Sequence, residues 1–127
     1  MEYSDSLKKN NEFQRVYRKG TSQANRYLVM YVLENHDRHM ENRLGISVSK
    51  KVGNSVVRHR VTRLIRESYR LNERSFRQGL DIVVVARPNA KDKSYQEIES
   101  ALMHLAGRMK IRREAELHVE ESKNAEE

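Results

Sequence analysis

The period of the apolar positions changes several times along the chain, and each change marks an element. Residues 26–34, RYLVMYVLE, and 43–49, RLGISVS, alternate with period two. As strands they put Leu28, Met30 and Val32 on one face and Tyr27, Val29 and Tyr31 on the other, and they set Leu44, Ile46 and Val48 opposite Gly45, Ser47 and Ser49. The polar stretch ENHDRHMEN between them reads as a hairpin link, so the two strands are expected to be neighbours. Their second faces combine aromatic rings with small residues, which suits a shallow surface open to a ligand or half covered by a helix. The run IVVVA at 82–86 is apolar throughout and closed by Arg87-Pro88, as in a strand buried on both faces. Asp81 before it reads as a strand-entry residue.

Three segments carry helical spacing. Within residues 4–19 the apolar positions Leu7, Phe13, Val16 and Tyr17 precede Gly20, which predicts a short helix from about Asn10. Asn54 is a cap candidate for a helix running to about Asn72. Its apolar stripe is Val57, Val61, Leu64, Ser68 and Leu71, widened by Ile65, while His59, Arg63, Arg66 and Arg70 fall opposite, with Arg58 and Arg60 on the flanks. Ser94 with Glu97 three later forms a capping box for a helix through Ile98, Leu102, Leu105 and Met109. The order helix, strands, helix, strand, helix, in 127 residues, indicates one α/β or α+β domain spanning 1–111, followed by a charged tail at 112–127 expected to be disordered.

Charge changes the picture. The chain has 25 Lys and Arg against 18 Asp and Glu, a net +7. Between Arg43 and Arg77 there are ten basic residues and two acidic ones, so this one segment accounts for the excess. A solvated helix face usually mixes signs at i,i+4 spacing. Here Glu67 can pair with Arg63, but the first two helical turns hold no acid. A row of arginines suits bidentate contacts to phosphates, which favours a nucleic-acid partner over a membrane, because the helix needs its apolar stripe for the core. A merely solvated face is the other reading.

With no Cys there is neither a disulfide framework nor a cysteine-based zinc site, and the five His residues make no metal-ligand set. No nucleophile triad, P-loop or clustered acidic motif appears, so any cleavage chemistry is expected to come from another component. MEYSDSLKKNNEF lacks an apolar signal core, and no window approaches the about 18 apolar residues of a membrane span. A cytoplasmic location is expected.

KKVGNSVVRHRVTRLIRE (50–67) closely resembles the signature helix of the bacterial ribonuclease P protein subunit. EFQRVYRKGT (12–21), YLVMYV (27–32), RLGISVSKK (43–51), DIVVVARP (81–88) and SYQEIESALMHL (94–105) follow in that family's order, so the resemblance covers about residues 7–110. It implies a small α/β sandwich with a mixed sheet, related to a ribosomal-protein fold, with a left-handed βαβ crossover through the Arg-rich helix. It also implies a function: a non-catalytic subunit that joins a catalytic RNA and binds the 5′ leader of precursor tRNA. The RNA then cleaves the leader, with Mg2+ held mainly by RNA and substrate. By resemblance, Lys50, Lys51, Asn54, Arg58, Arg60, Arg63 and Arg66 face RNA, joined by Arg70 from the helix wheel. Phe13, Tyr17, Val29 and Tyr31 match the family's leader cleft, with Ser47 and Ser49 as its small-residue floor. His59 replaces the family's usual Asn and is expected to keep a hydrogen-bonding role, whereas Thr62 replaces a usual Lys and carries no contact over. The competing reading is a ribosomal-type or general RNA-binding protein without a processing role.

Overall fold

The computed structural model describes residues 1, 3–35 and 41–113. Most of the expected 34–42 loop, with His36 and His39, lies outside them, and so does the tail from 114 onward with His118. The elements are β1 (Ser4–Ser6), α1 (Asn10–Lys19), β2 (Thr21–Ala24), β3 (Leu28–Glu34), β4 (Asn42–Ser47), α2 (Ser55–Asn72), β5 (Leu80–Ala86) and α3 (Tyr95–Arg108). They form one α+β domain around a five-stranded mixed sheet of order β1-β4-β5-β3-β2. β1 and β5 run parallel to β4, whereas β3 is antiparallel to both β5 and β2.

This order corrects the expected hairpin, because β3 and β4 are not neighbours: β5 lies between them. The reason is burial. β5 is buried along nearly its whole length on both faces, which only a central position allows. Period-two alternation gives each of the other two strands a face but not a partner.

Helices cover the faces unequally. Leu28, Met30, Val32, Leu44, Ile82 and Val84 pack under α2 and α3, whose Val61, Ile65, Tyr69, Ile98, Leu102 and Leu105 are fully buried. The opposite face has a smaller core of Leu7, Val16 and Val83, covered by α1. The main core also ties in β1: the buried Tyr69 hydroxyl bonds the Ser4 hydroxyl at 2.7 Å and accepts from Asn42 Nδ2 at 3.3 Å. Burial raises the Tyr69 pKa.

The helix starts follow their caps. Asn54 Oδ1 accepts the Val57 N–H at 3.0 Å, and Ser94 and Glu97 form the expected box. At α1, Glu12 accepts the backbone N–H groups of Lys8 at 3.2 Å and Lys9 at 3.0 Å.

Candidate nucleic-acid interface

Strand register places the α1-side residues in rows across the sheet. One row runs Leu33, Asp81, Arg43, Asp5; the next runs Ser22, Tyr31, Val83, Gly45; a third runs Ala24, Val29, Val85, Ser47. α1 sits over the first two. Its Val16 is fully buried in one cluster with the equally buried Val83. Its Phe13 ring lies so close to Gly45 that a Cβ there would come within 2.8 Å of two ring atoms. Any side chain at 45 would therefore push the ring off the sheet.

The first row anchors α1 by charge. Arg43 donates to Asp81 at 2.9 Å through Nε and 2.6 Å through Nη2, and to Glu12 at 2.6 Å through Nη1. Asn35 Nδ2 donates to the same Asp81 at 2.8 Å. Asp81, at the entry of β5 as the sequence suggested, is in addition a buried acceptor, and Arg43 is an internal tie rather than part of the cationic surface. Bonding to Asp81 raises the Arg43 pKa. The Lys9 backbone N–H, helped by that of Lys8 and by Arg43, holds the Glu12 carboxyl below its ordinary value of 4.5.

The third row is left partly open. Val29, Val85 and Ser47 are half-buried where Val83, one row back, is fully covered. Three rings edge this opening: Tyr17 meets Tyr31 edge-on at 4.9 Å between centroids, and Phe13 lies 6.4 Å from Tyr17. The structure therefore gathers Phe13, Tyr17 and Tyr31 beside Val29 and Ser47, while Ser49 lies exposed beyond the end of β4. Two differences from the sequence reading stand out. Val85 joins this floor, although an unbroken apolar run gives no sign that its fifth-strand face opens there. Tyr27 precedes β3 and packs against the α2/α3 core instead, with Lys93 Nζ 5.3 Å from its ring centre.

On the far face of the sheet, α2 buries Val61, Ile65, Ser68 and Tyr69. Val57 and Leu64 are half-buried and Leu71 is 57% exposed, so the buried stripe is turned from the expected one. The turn amounts to roughly 60° at about 100° per residue. It is driven by Tyr69, the largest fully buried side chain of the helix. The rotation leaves His59, Arg63, Arg66 and Arg70 exposed along the outer side. Glu67 pairs with Arg70, not Arg63, with Arg70 Nε donating at 3.1 Å. Arg60 reaches back to donate to the Lys93 carbonyl at 2.8 Å. Arg58 Nε and Arg60 Nη1 are buried with no hydrogen-bond acceptor among the described residues.

Lys50, Lys51 and Asn54 are exposed on the segment joining β4 to α2. That segment leaves the sheet at Ser47, in the open row. The open row and the start of the arginine helix therefore meet at one end of the sheet.

A mixed sheet with an aromatic-edged open row on one side and an outward arginine helix on the other defines a small α+β RNA-binding domain. Comparison with known proteins specifies it. The family model described as Ribonuclease P matches residues 1–110. The ribonuclease P protein component of Lachnoclostridium phytofermentans is 64% identical over 108 residues, covering 85% of this chain and 91% of that protein. That of Alkaliphilus metalliredigens is 54% identical over 111 residues, covering 87% and 98%. Among solved structures, the Staphylococcus aureus RNase P protein superposes with a TM-score of 0.79 at 41% identity, covering 86% of this chain and 98% of its own. The Thermotoga maritima RNase P protein gives 0.74 at 28% identity, covering 82% and 96%.

The chain belongs to the ribonuclease P protein family. It has the subunit role in an endoribonuclease complex of tRNA 5′ processing, with RNA as its partner. Among the described residues no helix is long and apolar enough to cross a membrane.

Proposed function

We propose that this chain is the accessory, non-catalytic subunit of a cytoplasmic ribonuclease P, in which the RNA component cleaves the 5′ leader from precursor tRNA. The observation that carries this reading is the row Ser47, Val85, Val29, Ala24, left open by α1 and edged by Tyr31, Tyr17 and Phe13. Single-stranded RNA is held by rings that stack on its bases beside cations that track its phosphates. The rings come from α1 and β3, and the cations come from Lys50, Lys51 and the outer side of α2. His59, Arg63 and Arg66 would meet the catalytic RNA, joined by Arg70 beside its Glu67 partner. Arg58 and Arg60, half-buried on the flanks of the helix, add positive charge beside this outer side.

Glu12 on α1 and Asp81 on the sheet below it are engaged by Arg43 and by backbone or amide donors. Among the described residues no three His, Asp or Glu side chains come together as a metal site. The protein residues described do not fit a protein-held Mg2+, so we assign that cofactor to the RNA component and its substrate.

Reconstitution tests the role. Cleavage of precursor tRNA by the cognate RNA at low Mg2+ is expected to rise sharply when the full chain is added. No gain, together with equal binding to unrelated RNAs, would reduce the chain to a general RNA-binding protein.

A further inference from the structure

A groove of about 430 Å3 lies between the β2–β3 turn and α3, outside both surfaces described above. That volume is in the range of small-ligand sites. Its walls include Arg26 and Tyr27 from the turn and Glu97, Ser100 and His104 from one side of α3.

The sheet decides where this groove sits. The turn begins immediately after Ala24, the last residue of the open row on β2. An RNA strand laid along that row from Ser47 toward β2 therefore arrives at the turn, and the groove lies around the β2 edge of the sheet from there, on the α3 side. The turn is firmly held. Asn25 Oδ1 accepts the backbone N–H groups of Tyr27 at 3.2 Å and Leu28 at 3.0 Å, and its Nδ2 donates to the Ala101 carbonyl at 2.9 Å.

Charge is arranged with cations outside and a carboxylate inside. Arg87 donates to the Asn25 carbonyl at 2.8 Å and Arg108 to the Ala24 carbonyl at 3.3 Å, so with Arg26 three arginines surround the turn. Inside, the Glu97 carboxyl is held below its ordinary value, chiefly by the Ser94 backbone N–H, and stays ionised at neutral pH. A phosphate is disfavoured there, whereas the amino group of a base is a suitable donor. Asn25 Nδ2, a donor, lies 3.3 Å from His104 Nδ1, a contact that favours the tautomer with the ring N–H on Nε2.

We propose that this groove takes one nucleotide of the single-stranded 5′ leader beyond the stretch held in the cleft. The base lies inward against Tyr27 and His104 with its exocyclic amino group on Glu97, and the phosphate lies outward among Arg26, Arg87 and Arg108. This rests on the leader-binding reading above.

The test uses holoenzyme assembled from the full chain and its cognate RNA. Precursor tRNA leaders are lengthened one nucleotide at a time, with 2-aminopurine placed at successive positions. For the parent, affinity is expected to step up about tenfold, the effect of one base stack, at the length that fills the groove. The fluorescence of 2-aminopurine at that nucleotide is expected to fall in the same step. Ser100→Phe, at an exposed α3 position, fills the groove and should abolish both the step and the quench while leaving shorter leaders unaffected. His104→Ala should weaken both without filling space, which guards against a misfolded Phe variant. A step unchanged in both variants overturns the proposal. So does the absence of any step in the parent, the result expected if the groove serves a protein partner. Failure of the cleft reading looks different, because even leaders long enough only for the cleft would then bind no better than leaderless tRNA.

Discussion

Asp81 is the residue on which the α1 side of the molecule turns. It is 3% exposed at the side chain and binds Arg43 through both of its oxygens, and Arg43 in turn holds Glu12 of α1. Removing Asp81 takes the acceptor from Arg43 Nε and Nη2 and from the buried Asn35 amide, and leaves only the part-exposed Glu12 carboxylate against the arginine. Asp81→Ala is therefore expected to lower unfolding stability by about 3–5 kcal/mol, read from urea denaturation. A loss under about 1 kcal/mol would show that solvent reaches Arg43 easily. This pair was hidden in the sequence, because Arg43 and Asp81 meet only through the β4–β5 register. The role of Gly45 was half visible: alternation put it on the α1 face, but only the fold shows the Phe13 ring resting on it.

The elements differ in how much of themselves they reveal. α3 is legible from its capping box and its spacing, and both are local. The core of β3 is legible from its period. β1 and β2, with three and four residues of mostly polar sequence, carry no hydrophobic pattern and exist because neighbouring strands offer free edges. α2 reveals that it is two-sided but not its rotation, since Tyr69 competes with Leu71 for the core and the wheel does not say which wins. Arg63 and Arg66 face outward in either rotation and are exposed in the structure. Alanine at both positions is expected to weaken RNA binding and to reduce the slope of log K against log salt by about 0.7–0.9 per lost phosphate contact. Urea stability should change little, since both side chains are exposed. An unchanged salt slope would show that these arginines are merely solvated.

At the scale of the whole molecule, the net charge of +7 is divided between faces by the fold. Counting charges located the basic segment, but the count included Arg43, which the structure turns inward. The family motif and the aromatic set were both legible in the sequence. That the two surfaces meet at the carboxyl end of β4 was not, because the meeting depends on strand order, and the hairpin reading had that order wrong. Val85 was missed for the same reason: it enters the open row only because β5 lies between β3 and β4. Under the proposed function this geometry would make leader recognition separable from RNA docking, with α1, β3 and β5 assigned to the first and α2 to the second.

The most direct measurement is the ratio of affinities for leader-bearing and leaderless tRNA, taken with holoenzyme carrying either parent chain or Tyr31→Ala. The expected result is a parent ratio well above one that falls about tenfold in the variant, the worth of one stacked base, with leaderless tRNA bound equally by both. Equal losses for the two substrates would contradict the cleft and place Tyr31 in the core instead.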